Sequence, residues 1–152
     1  YLADGKSDPR RLFAESLLEV VGNNGPILVY NAPFERSRMQ ELANYYDDLK
    51  NLLEAAINRI VDLLPIARNH YYHPEMRGSW SIKAVLPTIA PDLAYDNLEV
   101  ANGGMAQEAF SEMMQLDVTS ERYHQLYDAL LKYCERDTLA MVRIAHFFEG
   151  VG

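Results

Sequence analysis

The chain has 152 residues, 49% of them hydrophobic and 24% charged, with a formal net charge of −8 and a single cysteine. That length suits one domain, residues 1–152, with a real core; the acidity argues against a broad phosphate-gripping surface, though not against a cleft where cations bridge acidic side chains to a phosphodiester. Lone Cys134 forms no internal disulfide, which suits a reducing, cytoplasmic setting, and without a bilayer-length apolar run or a secretion signal no membrane partner is expected.

In chain order, Ser7-Asp8-Pro9 ahead of RRLFAESLLEVVG predicts a cap, a first-turn proline and an amphipathic helix stopped by Gly22. NNGP is a turn. Pro26 to Tyr30 is short and apolar and predicts a buried strand of a parallel sheet. A helix is expected from Ala32 to Tyr45. Another covers DDLKNLLEAAINRIVDLL and runs into a short strand near Ile60 to Leu64, which Pro65 stops. RNHYYHPEMRGSW is aromatic, charged and aperiodic, hence a loop. Ser81 caps a short helix, SIKAVLPTI, which Pro87 distorts or ends. Gly103-Gly104 precedes helical MAQEAFSEMM, and SERYHQ onward is one long helical pattern, with a break near Arg136, that closes at Gly150. This is a helix-rich α/β order with one or two parallel strands, too few to centre a domain by themselves. With tyrosine rather than methionine at position 1, the chain reads as an excised or processed piece whose remaining sheet lies elsewhere.

Two places could carry chemistry. Glu35 follows the strand in VYNAPFE, and ligands of open α/β sheets gather just beyond the carboxyl ends of parallel strands. Its bland reading is a first-turn glutamate favoured by the helix dipole, with Asn31 as cap. Phe34 either packs inward beneath such a site or offers a face to a base. In YCERD, Tyr133 and Asp137 are four apart and share a helix face, a stripe of Leu126, Leu130, Tyr133, Asp137, Met141, Ile144 and Phe148. A carboxylate within an apolar stripe wants a cation or a hydrogen-bond donor. The rival stripe, Tyr127, Leu131, Cys134, Thr138 and Val142, would leave Asp137 in solvent. Asp62, inside an apolar run, is a candidate to support a neighbouring polar centre. His70, His73 and Glu75 offer three metal donors, but in a loop they read better as surface groups. Asn102-Gly103-Gly104 is too short a glycine signal for a phosphate cradle.

Taken in order, LVYNAPFE, RIVDLLPIAR…SIKAVLPTI and YCERDTLAMVRI resemble the DnaQ-like, or DEDD, 3′–5′ exonucleases of the tyrosine branch, which have a ribonuclease H-like fold. Asn31, Phe34 and Glu35 match the family's second motif, with Glu where Asp is usual. Tyr133 and Asp137 match its Y-x-x-x-D motif, and Asp62, Leu63, Ala67, Arg68, Ser81, Lys83 and Leu86 match its connector. The chain looks like an uncharacterised bacterial branch from which the first motif, a D-x-E strand, is absent.

The resemblance implies a ribonuclease H-like fold lacking its first strands and two-metal phosphodiester hydrolysis of single-stranded DNA or RNA. Glu35 and Asp137 would be ligands of Mg²⁺ or Mn²⁺, Tyr133 would orient the nucleophilic water, and Asn31 and Phe34 would meet substrate. With the D-x-E acids missing the metal site is incomplete, so the chain as it stands is expected to be inactive. The alternative is a degenerate nuclease fold kept as a binding or scaffolding module. Missing strands would also leave an apolar strand edge through which copies of the chain associate.

Overall fold

In a computed structural model, residues 1–93, 95 and 98–150 are described. They are helix-rich, with a two-stranded parallel sheet, an α/β arrangement. Two compact units emerge, Tyr1 with Asp8–Tyr72 and Leu2–Ser7 with His73–Gly152.

The first unit begins with helix α1, Arg10–Val21, followed by strand β1, Ile27–Val29, helices α2, Ala32–Tyr45, and α3, Lys50–Asn58, strand β2, Ile60–Asp62, and helix α4, Leu63–His70. The strands pair in parallel with Ile27 opposite Ile60 and Val29 opposite Asp62. Period-2 alternation puts Ile27, Val29 and Ile60 on the face that packs against Ala14, Met39, Leu42, Leu53 and Ala56 of the helices. Leu28 and Val61 point the other way and are 37% and 41% exposed.

The start of α1 differs from expectation in that Pro9 stands at the cap position, just before the first turn, while Asp8 accepts the Arg10 amide at 3.1 Å. Its end follows expectation, with Gly22 at φ 54° and its amide on the Leu18 carbonyl. One residue locks this exit: the Arg59 guanidinium donates to the carbonyls of Val21, Gly22, Asn24 and Gly25 at 2.6–3.3 Å. Pro65 does not stop β2. It sits in the first turn of α4, where helical amides have no intrahelical acceptor and a missing N–H costs nothing. Arg68 to His70 are therefore helical rather than loop.

The second unit has helices α5, Ile82–Ile89, α6, Gly103–Gln115, and α7, Glu121–Phe148, with short 3₁₀ turns at Pro74–Met76 and Pro91–Leu93. Pro87 lies inside α5, forgoing a bond to the Lys83 carbonyl, yet the helix continues two residues further. Residues 2–7 belong to this unit. The Lys6 ammonium caps the end of α6 by donating to the Met114 and Leu116 carbonyls, and the Tyr123 hydroxyl donates to the Asp4 carbonyl. Helix α7 runs 28 residues without the expected break at Arg136, since no glycine or proline interrupts Glu121–Phe148. Among the described residues, no helix is long and apolar enough to cross a membrane.

Candidate functional site

The first group of candidate residues lies where β1 and β2 end. Asn31 opens α2 in the left-handed region, φ 80° and ψ 60°, and its side chain makes no capping bond. The cap comes from the neighbouring strand instead. Asp62 Oδ1 accepts the Asn31 amide and Oδ2 the Ala32 amide, both at 2.9 Å, and Oδ1 also accepts Leu64 N at 3.0 Å as the cap of α4. One carboxylate thus serves two helix N-termini. Burial opposes its charge, but the amides of Leu64, Asn31 and Ala32, helped by Arg36, outweigh burial and hold its pKa below the usual carboxylate value.

Glu35, one turn into α2, has the opposite fortune. Its Oε2 is buried with no hydrogen-bond partner. Burial raises its pKa; a bond from its own backbone offsets part of this, and the nearby Asp62 charge adds to the rise. A glutamate placed only to please the helix dipole would be solvated, so the first-turn explanation does not account for this oxygen. Tyr30, the last residue before Asn31, is pushed up to about 12 by burial, Arg68 opposing and Asp62 adding. Phe34 does not pack inward: its ring is 63% exposed, with the Arg38 guanidinium 5.8 Å from its centroid. Of the cations near this end, Arg36 donates to the Ile60 carbonyl and Arg38 pairs with Glu41.

The second group lies on α7. Of the two rival stripes, the one carrying Asp137 faces inward: Leu126, Leu130 and Ile144 are buried, and Tyr133, Asp137, Met141 and Phe148 are half-buried. Leu131, Cys134, Thr138 and Val142 of the other stripe are exposed. Asp137 therefore needs a partner, and Tyr95 supplies one. The Tyr95 side chain is 6% exposed, and its hydroxyl donates to Asp137 Oδ1 at 2.6 Å. Burial, that bond and the Asp137 charge hold the Tyr95 hydroxyl far above its ordinary pKa. The Tyr133 ring lies 6.2 Å from that of Tyr95. Burial, the charge of Asp137 and a hydrogen bond to it push the Tyr133 hydroxyl up to about 12. A Cβ at Gly103 would meet the Tyr133 oxygen at an ordinary 3.9 Å, so crowding does not require glycine there, and Asn102 is simply the cap of α6.

The structure thus joins Tyr133 to Asp137 in one unit and Asn31, Glu35 and Asp62 in the other. Tyr95 was missed because a lone tyrosine in PDLAYDN follows no period and matches no motif. The double cap by Asp62 was missed because its partners lie about thirty residues earlier in the chain. His73 uses Nδ1 to accept the Glu75 amide at 3.3 Å. Among the described residues, no group of three or more His, Cys, Asp or Glu side chains is placed to hold a metal ion.

The model of a family described as a domain of unknown function, DUF2779, matches residues 1–81, more than half of the chain. The chain belongs to that family. The DUF2779 match includes Asn31, Phe34, Glu35 and Asp62 and ends before Tyr95, Tyr133 and Asp137. Similarity to curated proteins reaches further along this DUF2779 chain. It is 27% identical to the uncharacterized protein UU173 of Ureaplasma parvum serovar 3, over 93% of the chain and 24% of that protein. It is 28% identical to the uncharacterized protein MG366 of Mycoplasma genitalium, over 82% of the chain and 20% of that protein. The DUF2779 chain therefore spans about a quarter of the length of the curated relatives it matches. No solved structure matches it significantly.

Proposed function

We propose that the chain contributes to a metal-dependent 3′–5′ exonuclease of the DnaQ-like, ribonuclease H-like kind, acting on single-stranded nucleic acid. The observation that supports this most is Glu35 Oε2, a carboxylate oxygen buried without a donor near the carboxyl ends of two parallel strands. Such an oxygen is costly unless a cation or donor meets it.

In the first unit, Glu35 offers an uncommitted hard oxygen of the kind that Mg²⁺ or Mn²⁺ takes. In the second unit, Asp137 offers a carboxylate that already accepts from Tyr95. Among the described residues neither belongs to a group of three or more metal-ligating side chains. When bound, such ions supply a more acidic water and offset the charge that develops on the phosphate. The chain's own groups do the rest. With a pKa of about 12, the Tyr133 hydroxyl stays protonated at neutral pH, so it acts as a hydrogen-bond donor or acceptor that orients a water and not as a base. Asn31 and exposed Phe34 stand at the strand end as substrate contacts, the ring free to stack on a base.

One observation favours a second reading, a nuclease fold kept for binding without turnover: the Asp137 carboxylate already has a donor within the protein, Tyr95. The test is nucleotide release from 5′-labelled single-stranded DNA and RNA by the natural gene product with Mn²⁺. The enzyme reading expects stepwise release that falls at least a hundredfold in Asp137→Asn and in Glu35→Gln. Absence of ion-dependent release, or unchanged release in Asp137→Asn, overturns it.

A further inference from the structure

The first unit carries a cavity that the candidate site does not use. It lies between α1 and α2, has a volume of about 380 Å³ and is lined by Arg10, Phe13, Arg38, Glu41, Leu42 and Tyr45. Both the volume and the make-up, an apolar lining with a few polar groups, are those of a small-molecule pocket. Leu42 is buried, whereas Phe13 and Tyr45 keep exposed rings, Tyr45 at 59%. Two guanidiniums stand among the aromatic rings here. Arg10 lies over the Tyr45 ring, 4.2 Å from its centroid, and Arg38 lies 5.8 Å from the centroid of Phe34. Their carboxylate partners are Asp8 and Glu41, and both pairs are about half exposed. Ion pairs of that kind contribute little, so a phosphate, which suits the guanidinium fork, can take the place of the carboxylate.

Helical spacing joins this cavity to the strand end. Phe34, Arg38, Glu41 and Tyr45 are four, three and four apart, so they share one face of α2. At 1.5 Å per residue that face runs about 16 Å, from the exposed Phe34 ring next to Glu35 as far as the cavity. Rings and guanidiniums alternate along it: Phe34, Arg38, then Tyr45 with Arg10 over its ring. Most of the excess negative charge of the chain lies instead in the second unit. Interleaved rings and cations suit a single strand, in which every base has a flat face to stack and every linkage an anion to pair. A duplex hides its base faces, and an acidic peptide gives the rings nothing planar.

We propose that the cavity is a second contact for single-stranded nucleic acid: a base stacks against Phe13 and Tyr45, Arg10 and Arg38 hold its phosphates, and the α2 face leads the strand toward Phe34 and Asn31. This rests on the nucleic-acid reading above and extends it to residues outside the motifs that suggested it.

The experiment is fluorescence anisotropy of labelled oligothymidylate and oligouridylate with the natural gene product in EDTA, which reads binding without metal or cleavage. Wild type is compared with Tyr45→Ala and with the double variant Arg10→Gln, Arg38→Gln, each first shown to be folded by its melting curve. The expected result is about tenfold weaker binding in Tyr45→Ala, the worth of one stacked base. The double variant should bind more weakly, with a dependence on log salt shallower by about one. If Tyr45→Ala does not fold, the double variant carries the test, since both arginines lie at the surface. Wild-type affinity in either folded variant overturns the site. Duplex DNA or polyglutamate bound as tightly as the single strands also overturns it, because the face then reads charge alone. Absence of wild-type binding in EDTA overturns this inference, while Mn²⁺-dependent release, measured separately, still decides the nuclease reading. Binding that is lost in the variants, together with no Mn²⁺-dependent release, supports the site and overturns the nuclease reading.

Discussion

Asp62 and Glu35 belong to the same unit, Asp62 at the end of β2 and Glu35 one turn into α2, close enough for the charge of one to raise the pKa of the other, yet their surroundings differ. Asp62 accepts three backbone amides, and its charge is welcome. Glu35 keeps a buried oxygen with nothing to accept. Asp137, on the inward face of α7, falls between: one oxygen is bonded to a buried hydroxyl, and other lone pairs remain. Carboxylates that finish a fold are saturated by that fold, whereas those poised for another task keep capacity in reserve. The contrast separates Asp62, which holds the structure together, from Glu35, whose buried oxygen the fold does not satisfy, with Asp137 met by Tyr95 in between.

The largest effect expected from this contrast is at Asp62. Asp62→Ala strips the cap from α2 and α4 together and leaves three amides without acceptors, which should cost about 3 kcal/mol. Urea unfolding measures it, and a loss below about 1 kcal/mol would break the claim that this carboxylate is saturated for the sake of the fold. Next is Arg59, whose guanidinium holds four carbonyls between α1 and β1. Arg59→Met should cost about 2 kcal/mol in the same measurement.

The pH dependence sharpens the comparison, because the two carboxylates have opposite signs. Asp62 has a lowered folded pKa, so it stabilises above its ordinary value of 3.8, and that stability is lost as pH falls through the lower folded value. Glu35 has a raised folded pKa. The folded state holds its proton more tightly, so stability declines as pH rises from the ordinary 4.5 through the raised value. In chemical denaturation across that interval, Glu35→Gln should remove the decline and gain up to about 1 kcal/mol at neutral pH without divalent ions. Added Mn²⁺ should stabilise wild type and leave Glu35→Gln unmoved. The smallest effect belongs to the outward stripe of α7. Leu131→Lys should change stability by less than about 0.5 kcal/mol, which would confirm that the stripe carrying Asp137 is the structural one.

Much of the local structure was legible in the residues. The bounds of α2, Ala32–Tyr45, were legible although the cap that the sequence assigned to Asn31 comes from Asp62, and β1 lies within the short apolar run before it. Prolines were harder to read, because Pro65 is harmless in a first turn and Pro87 is tolerated inside a packed helix. A proline's cost depends on whether its amide would have had a partner, which is a matter of position within the helix and not of residue type.

The candidate site was legible in the same uneven way. Spacing by itself put Tyr133 and Asp137 on one face of a helix and put Glu35 just past a strand. It could not choose between two stripes of α7 that both step by three and four, nor foresee that Asp62, read as support for a polar centre, caps two helices. Those choices belong to tertiary structure, because burial and hydrogen-bond partners come from segments far apart in the chain: Tyr95 meets Asp137 across 42 positions and Asp62 meets Asn31 across 31. Periodicity determines which side chains travel together; only packing decides which of them lose water, and the loss of water is what makes a carboxylate need a partner.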